Sequence, residues 1–175
     1  MPARPALLEL AAAVAGAVDA AGAVDPRAMT RALARCVSLD GMLEPAQREG
    51  SVAGYTRHVL YADPDGRFTI VSLVWEAGQA SPVHAHDTWC GYAVLEGALV
   101  ERGFRDAGDR AAVALTESLR PPGSTVFDPG GYAIHQLVNP GDSRCISVHV
   151  YGVGADRVAT AVNRVYDERL AAAAL

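Results

Sequence analysis

Between residues 55 and 151 the chain is a succession of short β-rich runs separated by glycine turns, and this punctuation constrains the fold more than any other feature. Residues 55–62 (YTRHVLYA) and 67–75 (RFTIVSLVW) are rich in β-branched and aromatic side chains. Asp63-Pro64-Asp65-Gly66 joins them; its proline presets a turn φ and its glycine accepts a positive one. Further short strands are predicted at Cys90–Glu96, 99–104, 124–127, 135–138 and Cys145–Tyr151, set apart by Gly78, Gly97, Gly123, Gly130-Gly131 and Gly141. Many short strands at this spacing predict an all-β sandwich or barrel.

The first fifty residues read differently. Leu7, Leu10, Val14 and Val18 recur at helical spacing, with Glu9 interrupting the apolar stretch, so an amphipathic helix is expected rather than a signal peptide. A second helix is marked by Asp25 as N-cap and Pro26 at the first helical position, followed by the stripe Met29, Leu33, Val37. The expected organisation is a helical segment, residues 1–50, packed on a β domain, residues 51–175, in one structural unit. The final ERLAAAAL is expected to form a helical or frayed tail.

Composition narrows the function. A 175-residue chain, half hydrophobic and one-fifth charged, suits one folded domain with a real core. Its net charge of −5 argues against a nucleic-acid partner, and no run approaches the length of a membrane span. Cys36, Cys90 and Cys145 are odd in number and far apart, so neither a disulfide framework nor a C-x-x-C site is expected. Without an export signal, the expected compartment is the cytoplasm. The oligomeric state is not legible.

Chemistry concentrates in the histidines. There are five, and His84 and His86 sit two apart on an extended segment, so both project to one face and can reach one ion. His135, on a second segment, can complete a three-nitrogen site if the two segments lie side by side. Imidazole suits zinc, iron, copper or nickel, so ligand type alone leaves the metal open.

These two segments resemble the signature motifs of the cupin superfamily. The first runs Gly78, five residues, His84-x-His86, three residues, Cys90, six residues, Gly97; the second runs Gly123, Pro129-Gly130-Gly131, His135, Asn139, with one extra residue before the histidine. The resemblance implies a mainly β cupin barrel, a double-stranded β-helix or jelly roll, with metal on His84, His86 and His135. Cys90 stands where the family's glutamate ligand falls. With three neutral imidazoles the ion keeps its full charge and three open positions, which favours an anionic sulfur substrate.

The chain further resembles the thiol dioxygenases, the family of cysteine dioxygenase and 3-mercaptopropionate dioxygenase. Tyr55-Thr56-Arg57, then Trp75 and Gly78, then the histidine pair, Cys90 and finally Ser147-x-His149-x-Tyr151 carry this likeness. It implies Fe(II) as cofactor and a small thiol and O2 as substrates. Arg57, beside Tyr55, would hold the substrate carboxylate, and Tyr151 would act through His149 and Ser147. The expected reaction converts the thiol, L-cysteine first and 3-mercaptopropionate as the alternative, to its sulfinate. Cys90 and Tyr151 occupy the positions of a thioether-linked pair in animal cysteine dioxygenases. Here Gly152-Val153-Gly154 replaces the Ser-Pro-Pro that follows that tyrosine, so little or no thioether is expected. The mercaptopropionate enzymes place a carboxylate-binding arginine beyond the tyrosine, where this chain has Arg157 and Arg164. His58 follows Arg57 and is expected on the opposite, structural face. Two other readings stand beside this one: a non-redox cupin isomerase using zinc or manganese, and a metabolite-binding regulator.

Overall fold

A computed structural model describes residues 4–38, 40–130, 133–158 and 163–169. Two helices, α1 (Pro5–Ala15) and α2 (Pro26–Cys36), precede the strands. In chain order the strands are β1 (Thr56–Ala62), β2 (Thr69–Trp75), β3 (Val83–His86), β4 (Cys90–Glu96), β5 (Leu99–Asp106), β6 (Ala111–Arg120), β7 (Thr125–Asp128), β8 (Ile134–Val138), β9 (Cys145–Tyr151) and β10 (Asn163–Arg169).

One sheet has the order β1-β2-β9-β4-β7; the second, β10-β3-β8-β5-β6, closes because β10 pairs antiparallel with β3 and then parallel with β6. Period-2 alternation gives the first sheet two distinct faces. Leu73, Trp75, Cys90, Tyr92, Val94 and Tyr151 pack inside the barrel. Ile70, Ala93, Val148 and Val150 point the other way and pack under the helices.

The helices form for the reasons the sequence suggests. The Asp25 carboxylate accepts hydrogen bonds from the Arg27 and Ala28 amides, satisfying two of the otherwise orphaned donors at the start of α2. Leu7, Leu10 and Val14 of α1 and Met29 and Leu33 of α2 are buried in one cluster, each removing apolar surface worth about 1.5–3 kcal/mol. α2 lies directly on β4 and β7. Gly91 permits this approach: a Cβ there would come within 2.6 Å of Leu33 Cδ1. No helix among the described residues is long and apolar enough to cross a membrane.

The turn before β2 closes as expected, with the Gly66 amide donating to the Asp63 carbonyl and Gly66 at φ 70°. Arg67 clamps it by donating from Nε and Nη2 to the Asp63 carboxylate, both at 2.8 Å. β6 and β10 lie outside the runs that sequence alone singles out. β6 reads AAVALTESLR, a composition at home in helices, yet it is held along its whole length by β5. Glu168 and Arg169 correct the expected tail: they end strand β10, whose edges are taken by β3 and β6, while residues 170–175 lie outside those described.

Candidate metal centre

The barrel interior brings the three histidines together. His84 and His86 lie on β3, and His84 is the register partner of His135 on β8. Their candidate ligand atoms all lie within 4.8 Å of one another, and the Nε2 atoms of His86 and His135 are 3.2 Å apart. Two nitrogens bound about 2.0–2.1 Å from one ion are separated by about 3.0–3.4 Å, so this spacing fits a shared metal.

The far sides of two rings are already engaged. His84 Nδ1 donates to the Pro82 carbonyl at 2.8 Å, and His135 Nδ1 donates to Glu101 Oε1 at 3.0 Å. Each bond leaves Nε2 as the lone-pair nitrogen facing the cluster, the orientation that metal-binding histidines need. Burial, helped by the neighbouring His135 and His86, pushes the His84 pKa down to about 3, so the ring is neutral and needs no deprotonation to bind an ion. A three-imidazole donor set suits a borderline divalent ion such as iron or zinc.

The first sheet faces this cluster. Its inward rows set Arg57 opposite Leu73, Leu73 opposite Ser147, His149 opposite Tyr92 and Tyr151 opposite Cys90. Together with the histidines, Tyr55, Arg57, Trp75, His149 and Tyr151 line one narrow cavity. Tyr55 stacks on Trp75 at 4.6 Å between centroids, forming one wall. Arg57 Nη1 donates to the Val158 carbonyl at 3.1 Å, while its Nε is buried with no hydrogen-bond partner among the described residues.

A directed chain runs along β9. Trp75 Nε1 donates to Ser147 Oγ at 3.0 Å, and an indole can only donate. The Ser147 proton is therefore directed to His149 Nε2, 2.9 Å away, which leaves the proton on Nδ1, facing the Tyr151 hydroxyl at 3.5 Å. Burial holds the His149 pKa well below the ordinary histidine range and lifts the Tyr151 phenol well above its own. The Cys90 thiol is likewise raised by burial, with the Asp128 charge adding to it, and it interacts with the Tyr151 hydroxyl across the strand pair.

The sequence-expected residues thus converge, and the remaining ones have other places. His58 faces away, its Nε2 2.9 Å from the Glu49 carbonyl oxygen. Arg157 is exposed and Arg164 is ion-paired with Asp87 at 3.0 Å; neither lines the cavity. Asn139 is not at the cluster: its amide donates to the carbonyls of Trp75, Glu76 and Ser143, tying the end of β8 to the end of β2. Cys36, Cys90 and Cys145 are free and buried. Gly131 lies outside the described residues.

Three participants were not legible from sequence. Glu101 and Arg120 pair with each other behind His135, and Tyr92 stacks on His149 at 5.1 Å. The only sequence signal for Glu101 is its place four residues after Gly97, which no residue spacing connects to a histidine.

Fold and site together define a double-stranded β-helix barrel of the cupin type with a three-histidine candidate metal centre. Solved structures share that fold. An uncharacterised conserved protein with a double-stranded β-helix domain from Klebsiella pneumoniae aligns with a TM-score of 0.54 at 16% identity, covering 74% of this chain and 93% of its own. The TT1209 protein from Thermus thermophilus aligns with a TM-score of 0.50 at 23% identity, covering 64% and 97%. No family model matches the chain.

Proposed function

We propose that this chain is a non-haem Fe(II) thiol dioxygenase that converts a small carboxylate-bearing thiol, L-cysteine first, to its sulfinate with O2. One observation carries the reading: a single cavity has three imidazoles on one wall and, opposite them, a guanidinium with an unused buried donor and a phenol on a serine–histidine chain.

His84, His86 and His135 would hold the iron, which when bound would supply the redox chemistry for adding both atoms of O2 to sulfur. The chain's own residues supply the rest. Arg57 binds the carboxylate through a charge-assisted contact, to which the partnerless Nε contributes. Tyr151 keeps its proton at neutral pH and, held by His149, donates a hydrogen bond to the sulfur, oxygen or carboxylate brought beside it. Tyr55 and Trp75 exclude water from the same space. Since neither Arg157 nor Arg164 lines the cavity, Arg57 is the carboxylate partner on hand, which favours cysteine over 3-mercaptopropionate.

The test begins with metal-free protein reconstituted anaerobically with Fe(II), then supplied with O2 and either L-cysteine or 3-mercaptopropionate. The expected result is one O2 consumed per sulfinate formed, faster with cysteine, and loss of both iron retention and O2 uptake in His84→Ala and His135→Ala. Activity faster with 3-mercaptopropionate moves the substrate assignment. Tight zinc or manganese binding without any thiol oxidation refutes the dioxygenase reading in favour of a non-redox cupin.

A further inference from the structure

The histidine cluster has a second side. A larger recess of about 240 Å³, lined in part by Tyr92, Glu101 and Arg120, shares His86 and His135 with the Arg57 cavity. On this side the carboxylate of Glu101 divides its two oxygens between two partners. Oε1 accepts from His135 Nδ1 at 3.0 Å, and Oε2 accepts from Arg120 Nε at 2.9 Å and lies 2.8 Å from Nη2.

Strand register builds this arrangement. His135 is paired with Gly103 and Leu137 with Glu101 on β5, so Glu101 sits diagonally from His135 on the same face. Arg120 is paired with Leu99 on the other flank, again one diagonal step from Glu101. The side chains of Glu101 and His135 are each only 12% exposed, so their bond is little screened by water.

We propose that Glu101 is a positioning residue for the metal: it fixes His135 with Nε2 toward the ion and supplies, behind that ring, the negative charge that Cys90 cannot supply in place of a carboxylate ligand. Arg120 acts as a counterweight. It holds Glu101 in place, yet its positive charge opposes that of the ion. The effects of the two residues on metal affinity are therefore opposite in sign, although both belong to one ion pair. A carboxylate accepting from the outer nitrogen of a ligating histidine makes the inner nitrogen a better donor, and losing such a partner lowers metal affinity about 10–100-fold. Glutamine does not replace it, because its single oxygen serves only one of the two partners and its amide NH2 faces the other. The inference rests on the three-histidine metal reading but not on thiol chemistry.

Co(II) titrated anaerobically into metal-free protein, followed by its visible absorption and by competition with a chelator, tests this without reference to turnover. Glu101→Gln is expected to weaken Co(II) binding about 10–100-fold and to alter the absorption bands. Arg120→Leu is expected to tighten binding several-fold, by removing a cation near the ion. A salt bridge that merely braces the barrel would weaken binding in both variants alike, and that result overturns the proposal, as does unchanged affinity in Glu101→Gln. Thermal melts of the metal-free variants identify misfolding. Should Glu101→Gln fail to fold, weaker binding by Arg120→Leu still overturns the idea. Wild-type protein that binds no Co(II) sinks both this inference and the metal centre. The expected pair of opposite effects without any thiol oxidation upholds the inference and refutes only the proposed reaction.

Discussion

Replacing Arg57 with methionine removes one guanidinium while keeping an unbranched apolar stem in the cavity wall. The native side chain spends Nη1 on the Val158 carbonyl at 3.1 Å and leaves Nε buried without a partner among the described residues. A buried donor left unmatched costs about 1–3 kcal/mol, and a hydrogen bond to a charged group contributes about 1.5–3 kcal/mol. A substrate carboxylate that meets this guanidinium recovers that energy. Arg57→Met should therefore lower kcat/KM for L-cysteine by about 10–150-fold. Cysteamine, which has the thiol and amine but no carboxylate, should lose less than about threefold, since it never used the contact. Oxygen uptake by iron-loaded protein with each thiol measures both ratios. The Val158 carbonyl also loses its donor, so a drop of a few degrees in the thermal midpoint is expected, for about 1 kcal/mol of stability. An equal loss with both thiols, or less than a threefold loss with cysteine, would refute Arg57 as the carboxylate clamp.

The metal-free protein should be acid-sensitive in a defined window. The folded pKa of His84 is about 3 against about 6.5 for an unfolded histidine, so between those values the unfolded chain binds more protons and stability falls as pH drops through 6.5. From pH 7 to pH 5 the loss is about 2 kcal/mol for this residue, with His149 adding in the same direction, and a urea midpoint that stays flat across that range contradicts the assignment. Cys90 and Tyr151 are cross-strand partners within reach of each other, yet the expectation from the Gly152-Val153-Gly154 segment is little or no thioether. Intact-mass spectrometry after turnover decides it: a species about 2 Da light whose Cys90 and Tyr151 peptides are joined overturns that expectation.

Much of the molecule was legible in its residues. The helices were announced by apolar spacing and by the Asp25-Pro26 start, and strands β4 and β9 run over the residues expected of them. The metal candidates were legible because period 2 on a strand puts His84 and His86 on one face, and the same rule aligned Ser147, His149 and Tyr151. These are local rules, in which the chain's own repeat determines where side chains point.

What only the tertiary structure decided is which face meets which. β6 carries a helix-like composition and becomes a strand because β5 offers it a continuous partner edge. β10 was hidden because its pairing with β3 and β6 joins residues some fifty to eighty positions apart, beyond any local pattern. Glu101 stands 34 residues from His135 in sequence and 3.0 Å from it in space. Strand register alone makes that contact, and register is set by the closure of the whole barrel rather than by any segment within it.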